Sequence, residues 1–428
     1  MSLQKDISEL VESQIISQET ADRINEYYKI KREDEPNRLF MAFGLLGAIL
    51  VGLGIILIIG HNWDNLSKEV KSICSFLPLI IGQIFCGYVL LEKNRNKTWR
   101  EGTAAFLFLS VAACLALIGQ IYNIPSDLSS FLLTWLLLCL PLIYIMHSSL
   151  SSLFFILGIT IYVTQTGFTS NDNSSSWIYL LLLFAVLPHY YQLYRRSPNG
   201  NFIIFHHWAI PISILFALGT ISSGHEEWLW VSYSSLFALF YIIGNSDYFV
   251  EQKSRNNGYL ILGALGTVIL LLILSFDWFW TDLRKANILL NEIMTSPEFW
   301  MSAVITVLSL SLVMAYRRRV FHPQFKPLAI SFIPLFITFI VGMFSSLSIV
   351  LINIILFAIG VFIIREGTKM RHLPWLNFGM LIIAALVTCR FLDSNLSFIL
   401  RGLVFVGVGL GFFVVNYWMI KTYKAHEN

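Results

Sequence analysis

Two arginines and an aspartate near the C-terminus are the residues with the most specific chemistry to offer. Arg390 ends an apolar run in Cys389-Arg390-Phe391-Leu392-Asp393, and Arg401 opens the next. A tight connection would bring two guanidinium groups and one carboxylate together. A planar guanidinium fork suits phosphate and carboxylate, so Arg390, Asp393 and Arg401 form a candidate anion or headgroup site. The alternative is an Arg390–Asp393 ion pair, with Arg401 reaching the headgroups on its apolar stem. A second set is Gln120, Tyr122 and Asn123 in Gly119-Gln120-Ile121-Tyr122-Asn123, where two amides flank an amphipathic ring. His61-Asn62-Trp63, closing the first apolar run, is a third. Interhelical hydrogen bonds of about 1 kcal/mol or less each would account for such groups equally well. His206-His207, Pro188-His189 and Glu226-Glu227 complete the polar pairs.

Other chemistries are excluded by what the chain lacks. It has no HExxH, no phosphate-binding glycine loop and no GxSxG. Gly407, Gly409 and Gly411 lie inside an apolar run, where they mean close helix packing; a dinucleotide loop needs a preceding strand. All five cysteines sit in or beside apolar runs without metal-ligand spacing, so neither metal nor cofactor is expected. A net charge of +3 with no long basic stripe argues against nucleic acid.

The elements that must position these residues are membrane spans. Hydrophobic residues make up 56% of the 428 and charged ones 13%, with a mean hydropathy of +0.68. Soluble domains carry about 25% charged residues. Fourteen apolar runs are long enough to cross a bilayer as helices: 39–60, 72–91, 103–122, 129–146, 149–166, 177–194, 202–221, 228–244, 258–279, 299–316, 327–343, 347–364, 373–390 and 397–420. Basic residues gather in every second connection: Lys29, Lys31, Arg32, Arg38; Lys93, Arg95, Lys97, Arg100; Arg195, Arg196; Lys253, Arg255; Arg317, Arg318, Arg319, Lys326; Arg365, Lys369, Arg371; Lys421, Lys424. The alternate connections hold Lys68, Lys71, Arg284, Lys285, Arg390 and Arg401, so the bias is about 21 to 6. The positive-inside rule then places both termini in the cytoplasm. A count of twelve or thirteen would require a merged or re-entrant pair. The expected fold is an all-α polytopic transmembrane helical bundle of about 14 spans, N-in and C-in.

Residues 1–38 precede the spans and lack the apolar core of a signal peptide. They read as a cytosolic helical hairpin, with Ser17 as N-cap of its second helix and a candidate docking element for a protein partner. Residues 39–428 make the bundle. A faint echo relates the run beginning near 39 to the one near 258, a candidate parallel repeat. The longest external connection, about Trp280 to Glu298, carries Leu283, Ile288, Leu289 and Ile293 at helical spacing and reads as a surface amphipathic helix. Seven tryptophans (Trp63, Trp177, Trp228, Trp230, Trp278, Trp280 and Trp300) fall at predicted external ends, as interface anchors do.

The leader Ile15-Ile16-Ser17-Gln18-Glu19-Thr20-Ala21, the glycines Gly47, Gly52 and Gly54 before Asn62-Trp63, and Gly119–Asn123 followed by Trp135 resemble bacterial predicted membrane proteins, the domain-of-unknown-function family 2157. The likeness covers about residues 1–145. Arg365-Glu366-Gly367, Asn377-Phe378-Gly379, Arg390–Asp393 and Arg401 are similar, less specifically, to the ends of longer members. His61 departs from the small or apolar residue expected there. The resemblance implies a multi-pass protein of the bacterial cytoplasmic (inner) membrane and brings no substrate or catalytic residue. The leading expectation is a transporter or flippase-like carrier of an anionic or amphiphilic solute. Its rivals are a membrane-embedded transferase acting on a lipid-linked substrate at the outer face and a non-catalytic scaffold or sensor. The sequence favours a non-enzyme.

Overall fold

A computed structural model of the chain describes residues 63–170, 174–221, 224–250, 252–285, 296–317 and 326–393, with 11, 13, 15–24 and a few single positions besides. Every regular element among them is helical. The chain divides into two compact units, 1–74 and 75–428. In the first, Ser17 caps the helical residues 18–24, its Oγ accepting from Thr20 N at 3.3 Å. The rest of the predicted hairpin lies outside the described residues.

The first six long helices are α1 (Lys68–Glu92), α2 (Lys97–Ile121), α3 (Leu128–Ile145), α4 (Ser149–Ser170), α5 (Ser174–Arg196) and α6 (Asn201–Gly219). Then come α7 (Glu227–Gly244), the short α8 (Asp247–Val250), α9 (Gly258–Leu274), α10 (Asp277–Lys285) and α11 (Pro297–Ala315). The last group is α12 (Pro327–Ile330), α13 (Phe332–Phe344), α14 (Leu347–Lys369) and α15 (Leu373–Asp393). Twelve of the fourteen apolar runs thus carry helices. Run 39–60, and with it the first half of the candidate repeat, lies outside the described residues, as does 397–420 apart from six isolated positions. Among the described residues, nine helices are long and apolar enough to cross a membrane. Helices α9 and α10, bent by 68° at Ser275-Phe276, make a tenth if counted as one span. Helix α13 is only 13 residues long. Helix α7 spans 18 residues and buries Ser232, Ser234 and Ser235 within the protein.

Two apolar cores organise the second unit. One joins α1–α6 through Val89, Phe108, Leu136, Phe155, Ile159 and Val186. The other joins α7, α9, α10 and α13–α15 through Leu271, Leu274, Trp280, Phe339, Leu356 and Ile382. A smaller cluster, including Leu218, Phe240, Tyr259 and Ile305, connects α6 to α7, α9 and α11. Glycines set the closest crossings. A Cβ on Gly263 would sit 2.5 Å from Tyr241 N, and one on Gly379 would sit 2.8 Å from Ile364 N. The pairs α7/α9 and α14/α15 therefore touch backbone to backbone, as small residues allow in membrane bundles.

Helix α10 is amphipathic as expected, burying Phe279, Trp280 and Leu283 and exposing Trp278 and Asp282. Ile288, Leu289 and Ile293 lie outside the described residues. Two of the expected interface tryptophans are core residues instead. The bend after α9 tucks Trp280 beneath it, where Nε1 donates to Leu274 O at 2.7 Å. Trp228 packs 5.1 Å from both Phe299 and Phe339. Trp177, Trp278 and Trp300 are exposed.

Helices α2, α3 and α14 end on non-glycine residues in the left-handed region: Asn123 (φ 50°), His147 (φ 45°) and Arg371 (φ 53°). Each end closes with the long backbone bond of a Schellman turn. The bonds run from Ile124 N to Gly119 O (2.9 Å), Ser148 N to Ile143 O (3.1 Å) and His372 N to Gly367 O (2.9 Å). Several basic connections share one end of the bundle. Arg100 Nη2 donates to His147 O at 3.4 Å, Tyr248 OH to Pro198 O at 2.6 Å and Lys326 Nζ to Asn245 Oδ1 at 2.7 Å.

Candidate functional site

The residues singled out from sequence fall in separate places. Arg390, in the last turn of α15, donates from Nη2 to Ser275 Oγ at 3.2 Å, and its Cζ lies 5.0 Å from the Phe276 ring centroid. It therefore braces the α9–α10 bend. Asn353 on α14 reaches the same bend, donating to Ile349 O at 2.6 Å and Ser275 O at 3.5 Å. An otherwise apolar groove of about 530 Å³ runs past Arg390 between α14 and α15, lined by Val350, Phe357, Leu386 and Phe391. Asp393 ends α15, but its side chain and Arg401 lie outside the description. Gln120 supplies the carbonyl that accepts from Asn123 N at 3.4 Å, and Tyr122 presents an exposed ring. Trp63 sits in a 3-10 turn (Trp63–Asn65) with Lys71 Nζ 5.9 Å from its ring. His61 and Asn62 lie outside the described residues.

Among the described residues, the densest polar arrangement is elsewhere, at the basic end of α2, α4 and α5. It starts from Glu101, one turn into α2 and buried. Its carboxylate accepts from Ser148 Oγ (2.6 Å), Ser149 N (3.0 Å) and Leu150 N (2.8 Å). Two of these donors are first-turn amides of α4, which have no intrahelical acceptor and face the positive end of the helix dipole. Glu101 thus caps α4 from another helix. Its neighbour Arg100 takes the opposite terminus, donating to His147 O at the end of α3. The adjacent pair Arg100-Glu101 clamps both sides of the two-helix turn at His147-Ser148.

Beside this clamp is a polar cavity of about 150 Å³. Lys97, Arg100 and Arg196 supply three cations against the single carboxylate of Glu101, and His147, His189 and Gln192 complete the polar lining. Burial, and then the charges of Arg100 and Arg196, push the His147 imidazole below its usual range. His189 is only 4% exposed, yet neither ring nitrogen has a hydrogen-bond partner. Arg100 Nε is also buried without one, and its Nη1 makes only a 3.5 Å contact to Asn94 O.

Polar layers continue inward between α4, α5 and α6. His206, 6.1 Å from His189 between ring centroids, lies 2.7 Å from Phe202 O through Nδ1 and 2.9 Å from Ser152 Oγ through Nε2. A carbonyl only accepts, so Nδ1 carries the proton and Nε2 accepts from Ser152. The next layer joins Thr160 Oγ1 to Ser213 Oγ at 2.7 Å and Ser213 Oγ to Tyr179 OH at 2.9 Å. Thr220 follows, its Cβ filling the space a side chain on Gly167 would need. His206, Ser213 and Thr220 are seven residues apart, about 10.5 Å per step along α6. Buried Ile156, Val186 and Ile210 belong to the apolar core of the same three helices.

Glu101 and Gln192 lie away from the outer span ends that the sequence singles out, and His189 and His206 figured there only as members of polar pairs. The available signal was a carboxylate two residues before an apolar run, next to an arginine, in a connection already marked as basic. Among the described residues no group of three His, Cys, Asp or Glu side chains could hold a metal. No curated protein and no solved structure shows significant similarity to the chain. Residues 8–152, which include Lys97, Arg100, Glu101 and His147, match the model of the family described as predicted membrane protein (DUF2157).

Proposed function

We propose that this multi-pass membrane protein is a transporter or flippase-like carrier of an anionic or amphiphilic solute, with both termini in the cytoplasm of a bacterial cell. The observation that carries the reading is the stack of polar layers inside α4–α6, continuing inward from the cation-lined cavity. Polar side chains at membrane depth are costly and tend to line solute or proton paths. In this reading the cavity is the cytoplasmic entrance, and Arg390, Asp393, Arg401, Gln120, Tyr122 and Asn123 belong to the outer half. The test is reconstitution into vesicles, with radiolabelled phosphate counterflow and movement of a fluorescent anionic phospholipid as the two readouts. Flux that falls at least tenfold in Ser213→Ala with Thr160→Val supports the carrier. Flux no higher than in protein-free vesicles for both probes refutes it. Cysteines placed at Lys97 and Lys253 should react with an impermeant reagent only from the cytoplasmic side.

A further inference from the structure

We infer that the cavity between α2, α4 and α5 is a binding site for a phosphate group carrying two negative charges, either a free phosphomonoester or inorganic phosphate, or the monoester headgroup of a lipid. The inference deepens the carrier reading by naming the ligand class, and it concerns binding alone, so it stands or falls without any flux.

The cavity lining has unmet hydrogen-bonding capacity. Buried polar side chains in folded proteins are nearly always partnered. Here both nitrogens of His189 and Nε of Arg100 are buried and unpartnered, and they converge on one cavity. Arg100's other contacts, to Asn94 O and His147 O, are long at 3.5 and 3.4 Å and go to neutral carbonyls. Charge then selects the ligand. Lys97, Arg100 and Arg196 outnumber Glu101, whose oxygens are already taken by Ser148, Ser149 and Leu150. The carboxylate therefore serves the α4 terminus, and two positive charges remain uncompensated in the lining. Guanidinium groups favour planar, multidentate contact with phosphate oxygens.

Size agrees. At about 30 Å³ per water, 150 Å³ holds about five waters, or one tetrahedral anion with its first contacts. The position also suits a headgroup, because the lining comes from helix ends: the start of α2, the turn before α4 and the last turns of α5. Lys97 reaches over the Phe202 ring, 4.9 Å from its centroid, at the start of α6. Exposed Tyr191 and Tyr194 lie on the same turns of α5 as the cavity residues Gln192 and Arg196. Both sources of phosphate are therefore chemically equivalent at this site, and the experiment separates them.

The full chain, purified in detergent, is titrated with inorganic phosphate against chloride at matched ionic strength, following thermal unfolding and calorimetric heat. In parallel, it is placed in nanodiscs of phosphatidylcholine with or without one tenth phosphatidic acid. Saturable stabilisation by phosphate, not reproduced by chloride, supports a site open to free phosphate. Stabilisation by phosphatidic acid alone supports the lipid headgroup. Either effect should weaken at least tenfold in Lys97→Gln with Arg196→Gln, two exposed positions whose loss leaves the α3–α4 clamp intact. Arg100→Gln should abolish it, but this variant also removes a clamp contact and so is read only alongside the exposed pair. Equal effects of chloride and phosphate with no preference for phosphatidic acid overturn the inference. Unchanged binding in the Lys97/Arg196 double variant overturns it as well.

Discussion

Removing the carboxylate of Glu101 tests the cap that joins α2 to α4. In Glu101→Ala the amides of Ser149 and Leu150 lose their acceptor inside the protein, while the Ser148 hydroxyl can turn elsewhere. A buried donor left unpaired costs about 1–3 kcal/mol. A negative charge at a helix N-terminus contributes a further ~0.5–1 kcal/mol. Loss of both amide bonds and of the charge therefore predicts destabilisation of about 2.5–7 kcal/mol. Glu101→Gln keeps the shape and one oxygen, which can still serve Ser148 and Leu150, but it turns an NH2 toward Ser149 N. One mismatched donor and the lost charge predict about 1.5–4 kcal/mol by the same constants. Equilibrium unfolding in mixed micelles gives the ordering wild type, Gln, Ala. Hydrogen exchange should localise the effect, with the Ser149 and Leu150 amides exchanging faster and the α14–α15 pair unchanged. A Glu101→Ala variant within about 0.5 kcal/mol of wild type, or a Gln variant less stable than Ala, would refute the reasoning.

Asn123→Gly should stabilise the protein by about 0.5–1 kcal/mol, because Asn123 holds φ 50° at the end of α2, a conformation glycine adopts freely. Retained solute flux in that variant would assign Asn123 to the turn rather than to a solute. Gly379→Val should prevent stable packing of α14 on α15, since its Cβ would fall 2.8 Å from Ile364 N and 2.9 Å from Gly360 O, both backbone atoms. Size-exclusion chromatography should show aggregation where Gly87→Val, whose site is open, elutes normally. His147 should titrate below 6.5 by NMR of labelled histidine, and Arg100→Gln should raise its midpoint. Its folded pKa lies below the unfolded one, so its contribution is complete above about 6.5 and is lost as pH falls through the folded value. A phosphate group in the cavity should reverse the shift.

Periodicity and length made the helices legible, because an apolar run long enough to span reads the same in sequence and in structure. The break near Ser275 was not legible: the apolar run 258–279 continues through it, and only the structure bends the chain by 68° there. The family resemblance over about residues 1–145 agrees with the match to residues 8–152. Partner choice was not legible. Trp228 and Trp280 have the composition and position of interface anchors; the bend between α9 and α10 covers Trp280, and Phe299 and Phe339 cover Trp228. Glu101 is one carboxylate among many until the fold sets it under the His147-Ser148 turn, 47 residues away in sequence for Ser148. The Ser152–His206 and Thr160–Ser213–Tyr179 contacts cross between helices, and spacing along one helix does not specify a neighbour.

Helix α7 carries a consequence for how the chain is made. It buries Ser232, Ser234 and Ser235, and the polar partners that Ser235 meets outside its own helix are synthesised later. Ser235 meets Thr306 Oγ1 at 2.8 Å, and Ser309 Oγ returns to Ser235 O at 2.7 Å, both from α11. Gly263 of α9 supplies the closest backbone seat for Tyr241. A nascent chain that stops before α11 therefore leaves Ser235 without its partners on that helix. Tight packing of α7 should therefore await the arrival of α9 and α11, and a chain truncated before α11 should be more readily degraded.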